Sequence, residues 1–220
     1  MIVSDIKKIE KKNPKDYFLF EIYLEGSEET PFAVSKSEMA EFGLHKGISV
    51  SFPTQAELLD TILMRRGKGI ALRMVAKRNL TEREIKDKLT EREIPSHISD
   101  EILRWLTEHN IISDSVYAEN YINYKGKTKS KKDLMFTLTR KGMEKEMILE
   151  TMERNNFDEL SQAISLCEKK IKVIYNGEKD LKELPKKEID KIIGYLFRKG
   201  FSFDTCKKAL KEAFANISME

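Results

Sequence analysis

The segment from Ala71 to Phe214 states one pattern three times. In each copy a helix-like run places a leucine four residues before a cap position: Leu89 before Glu93, Leu138 before Gly142, Leu196 before Gly200. An apolar anchor precedes each leucine by four, at Ile85, Leu134 and Ile192, so anchor and leucine share one helix face. A hydrophobic residue follows each cap, Ile94, Met143 and Phe201. A second amphipathic run then begins, carried by Ile98, Ile102 and Leu103, by Met147, Ile148 and Met152, and by Cys206, Ala209 and Leu210. Three helices per copy is the natural count. Units this small cannot bury an apolar face alone, so the recurrence predicts stacking. The expected fold is mainly α, with three tandem three-helix repeats forming an elongated body.

The N-terminal fifty residues read differently and predict a small β-rich (α+β) module over 1–52. Tyr17 to Leu24 is aromatic and β-branched, with Phe18, Phe20, Ile22 and Leu24 on one face of a strand. Glu25-Gly26-Ser27 predicts a turn and Pro31 to Val34 a short returning strand. Ile48 to Phe52 alternates as a further strand, and Ile2 to Ile9 is an added one. Ser35 with Glu38 fits a capping box, in which a hydroxyl and a carboxylate satisfy free N–H groups at a helix start.

Pro53 and Thr54 with Glu57, a second capping-box signature, open a connecting helix over 53–70, which Gly67 and Gly69 are expected to bend or break at about 1 kcal/mol each. Repeat 1 covers 71–112, with Thr81 and Glu84 as a third capping box and Trp105 and Leu106 facing inward. Repeat 2 covers 113–158 and opens at Ser113-Asp114. Its lysine-crowded stretch Lys125 to Lys132 predicts a loop or frayed helix end. Repeat 3 covers 159–220, with a polar insert at 176–180 and a helix starting near Pro185.

Charge is unevenly spread. Residues 1–60 hold 7 basic and 11 acidic residues, the remainder 33 and 26. Six cations and no acid lie between Arg65 and Arg78, and five lysines fall within Lys125 to Lys132. Such patches suit a polyanion or an acidic protein surface. The residue before each cap is basic in all three copies, Arg92, Lys141 and Lys199, with Arg140 and Arg198 beside the last two. A cation in a final turn offsets the helix dipole by about 0.3–1 kcal/mol. On stacked repeats the same positions would also present a row of positive charge, and both readings stay open.

Catalytic chemistry is thinly represented. His45, His97 and His109 have no partners at metal-ligand spacing, and Arg66-Gly67-Lys68-Gly69 lacks the phosphate-loop pattern. No motif joins a nucleophile to a base. A binding protein rather than an enzyme is expected. Cys167 and Cys206 stand among helical apolar neighbours, as buried thiols would. No run approaches the roughly 18 apolar residues of a membrane span and the N-terminus lacks a signal-peptide core, so a cytoplasmic location is expected.

The run Ala71-Leu72 through Ala76-Lys77-Arg78-Asn79-Leu80-Thr81-Glu82-Arg83-Glu84-Ile85 and Leu89 resembles the opening repeat of the RecX family, regulators of the RecA recombinase. Ser113 to Tyr121 resembles the entrance of its second repeat, Leu138 to Met143 its cap, and Leu196 to Asp204 the signature of its third. The N-terminal segment is similar to the extension of longer members. Glu93 stands where a glycine is common, Tyr117 replaces a phenylalanine, and Lys125 to Lys132 is richer in lysine than the pattern.

The resemblance implies a non-enzymatic modulator, usually an inhibitor, that binds the groove of the RecA–DNA filament. It limits filament growth, ATP turnover, strand exchange and co-protease activity. No cofactor and no membrane are implied. The protein would be a monomer with RecA as partner and DNA bound more weakly alone. The residues assigned to this contact are Lys125, Lys127, Lys129, Lys131, Lys132, Arg140 and Lys141, flanked by Arg92, Arg198, Lys199, Arg73 and Arg78. The rival readings are a general DNA-binding helical-repeat module, with steep salt dependence, and a repeat adaptor for another acidic protein.

Overall fold

A computed structural model describes residues 2–9, 19–26, 32–50, 54–175 and 185–217. Tyr17, Phe18, Ser27, Pro31, Ser51, Phe52, Pro53 and the insert at 176–180 lie outside the described residues. The described chain forms two compact units, one within 1–78 and 85–109, the other within 79–84 and 110–220.

In the first unit β1 (Val3–Ile9), β2 (Leu19–Leu24) and β3 (Phe32–Ser35) form an antiparallel sheet in the order β1-β2-β3. The register pairs Ile6 with Ile22 and Ile22 with Phe32, so one face gathers the apolar side chains of all three strands. That face packs against Leu58 and Ile62. The strand expected at Ile48 to Phe52 is reduced, within the described residues, to one bridge between Ser49 and Ile2. Gly47, at φ +84°, turns the chain so that it meets β1 only around Val3, which bonds Gly47 and Ile48.

Short α1 (Lys36–Glu41) opens with the full capping box: Glu38 N–H donates to Ser35 Oγ at 3.3 Å, and Ser35 N–H to the Glu38 carboxylate at 2.7 Å.

Helix α2 (Gln55–Val75) starts at Thr54, whose hydroxyl accepts from Glu57 N–H at 3.2 Å. The expected interruption at Gly67 and Gly69 does not occur, since α2 runs unbroken. Gly67 serves close packing instead. A Cβ there would collide with Ile102 Cδ1 on α4 (Ser96–Glu108), a side chain with no exposed area. Tertiary burial thus overrides glycine's weak helix propensity. Trp105 on α4 is half-buried rather than fully inward, with Lys68 Nζ 4.4 Å from its ring centroid. Leu106 is fully buried as expected.

Between them lies α3 (Glu82–Thr90), opened by the capping box at Thr81 and Glu84.

The second unit holds α5 (Asp114–Lys125), α6 (Lys131–Arg140), α7 (Lys145–Arg154), α8 (Glu159–Tyr175), α9 (Lys186–Arg198) and α10 (Phe203–Ile217). Ser113 and Ser130 cap α5 and α6; of the loop expected over Lys125 to Lys132 only 126–130 lies between the helices, since Lys125 ends α5 and Lys131 and Lys132 open α6. One core gathers Ala118, Ile122, Leu134, Leu138, Ile148 and Met152; another gathers Ile171, Ile192, Leu196, Phe201 and both cysteines. Both cysteines are free and fully buried; burial pushes the Cys167 thiol up to about 12 and raises that of Cys206. Both are expected to resist a soluble disulfide reagent in the folded protein at mildly alkaline pH and to react fully after denaturation. Labelling before unfolding would contradict this.

Candidate functional site

The recurring leucine-to-cap signature is a helix exit of one geometry. In α6 the Gly142 N–H bonds Thr139 O and the Met143 N–H bonds Leu138 O; in α9 the Gly200 and Phe201 N–H groups bond Phe197 O and Leu196 O. In α3 the Glu93 and Ile94 N–H groups bond Thr90 O and Leu89 O. These are Schellman motifs, with Glu93, Gly142 and Gly200 at φ 60°, 98° and 88°. The leucine and the residue after the cap close over the end of the helix. Leu89, Leu138, Leu196, Ile94, Met143 and Phe201 are all buried.

Within the second unit two of these exits are seated on helix entrances. The end of α6 lies on the first turn of α3: Thr81 Oγ1 donates to Lys141 O at 2.9 Å, Lys141 Nζ donates to Glu84 at 2.8 Å, and a Cβ on Gly142 would stand 2.6 Å from Arg83 Cβ. The end of α9 lies likewise on the first turn of α6. Ser130 N–H donates to Lys199 O at 3.4 Å, and a Cβ on Gly200 would stand 2.5 Å from Ser130 Oγ. A carbonyl left open at one helix end thus meets a donor at the next entrance, with the two dipoles head to tail.

This arrangement sorts the cations singled out from sequence. Lys141 is half-buried; burial lowers its pKa, but the hydrogen bond to Glu84, aided by Tyr117, whose ring centroid lies 5.0 Å from the ammonium, outweighs that and holds it above the usual lysine value. Lys129 pairs with Asp133 at 2.6 Å, and that bond likewise raises its pKa. The Lys125 and Lys199 ammonium groups lie over the rings of Tyr124 and Tyr195. Lys127, Lys131, Lys132, Arg140 and Arg198 are exposed, as are Arg92, Arg73 and Arg78 in the first unit.

In the basic run from Arg65 to Arg78, Arg65 pairs with Glu41, Arg66 with Glu38, and Lys68 covers Trp105.

Sequence reading overlooked one class of residue. Phe136 and Phe197 are 61% and 62% exposed, and Tyr124 and Phe203 also face solvent. Phe136 lies out of phase with the buried Leu134 and Leu138 and in phase with Lys132 and Arg140, a spacing visible in the sequence. The Arg140 guanidinium lies 5.7 Å from its ring centroid.

Among the described residues no group of His, Cys, Asp or Glu is placed to hold a metal ion, and no helix is long and apolar enough to cross a membrane.

A helix-rich chain in which one helix exit recurs three times, and in whose second unit two such exits seat on helix entrances, defines a tandem helical-repeat protein. Residues 68–106 match the first three-helix domain of RecX and residues 158–210 the third. Regulatory protein RecX of Streptococcus sanguinis is 31% identical over 207 residues, covering 93% of this chain and 75% of that protein. Its counterpart in Clostridium perfringens is 27% identical over 190 residues, 86% and 88% of the two chains. A crystal structure of regulatory protein RecX superposes with a TM-score of 0.58 at 23% identity, covering 96% of this chain and 98% of that one. RecX from Lactobacillus salivarius gives 0.57 at 24% identity, over 69% and 96%. The chain belongs to the RecX family of regulatory proteins.

Proposed function

We propose that this protein restrains the RecA recombinase. It binds the RecA–DNA filament and limits filament growth, ATP hydrolysis, strand exchange and co-protease activity in recombinational repair and the SOS response. The observation that carries this reading is membership of the RecX family along nearly the whole chain. The exposed cations of the second unit support it, since a protein filament wound on DNA offers both carboxylates and phosphates. In this reading the protein works as a cytoplasmic monomer, with its repeats at 71–112, 113–158 and 159–220. It needs no cofactor; the ATP consumed belongs to RecA.

The test is RecA ATP hydrolysis on single-stranded DNA with this protein titrated from far below to equal RecA concentration, at two salt levels. Inhibition at substoichiometric ratios is expected. Inhibition only once the DNA itself is saturated would instead favour the general DNA-binding module, which the same exposed lysines suit.

Replacing Lys127, Lys131 and Lys132 together by serine is expected to raise the concentration needed for inhibition, while the unfolding free energy changes by less than about 0.5 kcal/mol. Unchanged potency would remove these lysines from the contact.

A further inference from the structure

Phe136 is the residue of α6 that its own repeat does not use. It lies two residues from each of the buried Leu134 and Leu138, about 200° around the helix from both, and so points away from the core. One exposed phenylalanine needs no explanation. Here, however, the exposed residues of α6 are Lys131, Lys132, Phe136, Thr139 and Arg140, without an acid among them. Lys132, Phe136 and Arg140 stand at i, i+4 and i+8, a single stripe about 12 Å long.

The stripe does not end with the helix. Because Lys199 and Gly200 are seated on Ser130, the last turn of α9, with exposed Phe197 and Arg198, abuts the first turn of α6, with exposed Lys131 and Lys132; at that turn the Glu159 carboxylate accepts from Lys131 N–H at 2.8 Å. The order along the joined helices is therefore ring and arginine, two lysines, ring and arginine.

We propose that this face binds single-stranded nucleic acid, with bases stacked on Phe136 and Phe197 and phosphates held by Lys131, Lys132, Arg140 and Arg198. Alternation is the reason. In a single strand a charged phosphate accompanies every flat apolar base, so a surface that alternates cations with rings matches both at once. A duplex hides its base faces and would use only the cations. A lipid surface would call for a continuous apolar stripe, which the lysines between the two rings interrupt. Arg140 is already over the ring of Phe136, a weak exposed contact that leaves the guanidinium free to swing to a phosphate while the ring takes a base.

The inference deepens the proposed function by naming what this face reads in a filament wound on DNA, and it takes its biological setting from that reading. Strand binding itself is measured without RecA.

The experiment is fluorescence anisotropy of a labelled oligothymidylate, an abasic strand of equal length and a duplex, with the full-length protein. The wild type is expected to bind the thymidylate about tenfold or more tighter than the abasic strand. Phe136→Leu with Phe197→Leu is expected to abolish that preference, leaving affinity for the abasic strand and the duplex unchanged. Lys132→Gln with Arg140→Gln is expected to weaken binding to all three and to flatten the salt dependence.

Both phenylalanines are mostly exposed, so the leucine variants keep the fold, checked by an unchanged circular dichroism melt. A wild type without preference for bases, or a double variant that retains it, overturns the proposal. So does a double variant that loses RecA inhibition with strand binding intact, which would make the face a protein contact. A base preference carried by the two rings in a protein that leaves RecA ATP hydrolysis untouched would uphold this inference and refute the proposed function.

Discussion

Gly142→Ala is expected to destabilise the second unit by about 3 kcal/mol. Two independent costs combine. The position sits at φ +98°, a conformation that residues with a Cβ rarely adopt. The added methyl would also stand 2.6 Å from Cβ and 2.9 Å from Cδ of Arg83, and a Cβ cannot swing aside as the end of a side chain can. Relief requires the end of α6 to lift from α3, which opens the bond from Thr81 to Lys141 O and the pair between Lys141 and Glu84. Urea unfolding followed by circular dichroism measures the loss. A midpoint equal to the wild type would mean that the seat of α6 on α3 contributes nothing to stability. Gly200→Ala should cost a comparable amount at φ +88°, because its nearest obstacle is the buried Ser130 hydroxyl, which can rotate away only by giving up the bond it accepts from Asp133 N–H as the cap of α6.

The glycines also explain what the sequence could and could not disclose. Helical spacing announced the buried leucines and their anchors, because a period of 3.6 is a property of each segment alone. The capping boxes at Ser35 and Thr81 were legible for the same reason, as were the entrances at Thr54, Ser113 and Pro185. What a segment meets in space was not legible. At Glu93 the helix exit is made by a residue with a Cβ, so the turn itself does not demand glycine. Gly142 and Gly200, at φ 98° and 88°, report the seat together with a backbone opened further than the 60° that Glu93 adopts. Gly67 misled for a related reason: read locally it weakens a helix, yet it lets α2 approach Ile102 on α4. Phe136 escaped notice because an apolar residue out of phase with its neighbours looks like noise until its exposure is known. Family likeness supports the proposed function, which the cations alone left divided between filament and DNA.

Arg66→Met should destabilise the first unit by about 2–3 kcal/mol at neutral pH, and the deficit should shrink in acid. Arg66 donates through Nε and Nη2 to the two Glu38 oxygens, each at 2.8 Å, and through Nη2 to Ala33 O at 3.1 Å. One guanidinium thus ties α2 to both α1 and the edge strand β3. Methionine keeps much of the stem but leaves a carboxylate whose side chain is only 12% exposed without its cation. Burial pushes the Glu38 pKa up, but its bonds to Arg66 and Ser35 outweigh this and hold it below its ordinary 4.5. A carboxyl with a folded pKa below its unfolded one contributes stability above the unfolded value and loses it as pH falls through the folded value. The wild type therefore forfeits this contribution below about pH 4.5. The variant, whose Glu38 keeps the burial but not the partner, is relieved by protonation over that same range. Urea midpoints at neutral pH and at about pH 4 should converge between the two proteins; a deficit that stays constant would mean that Arg66 acts through packing alone. The same measurement bears on the basic run from Arg65 to Arg78. If Arg66 held a phosphate instead of Glu38, the methionine variant would lose DNA affinity and keep its stability. The geometry requires the reverse, which leaves Arg65, Arg73, Lys77 and Arg78 as the exposed charges of that run, Arg65 in its pair with Glu41.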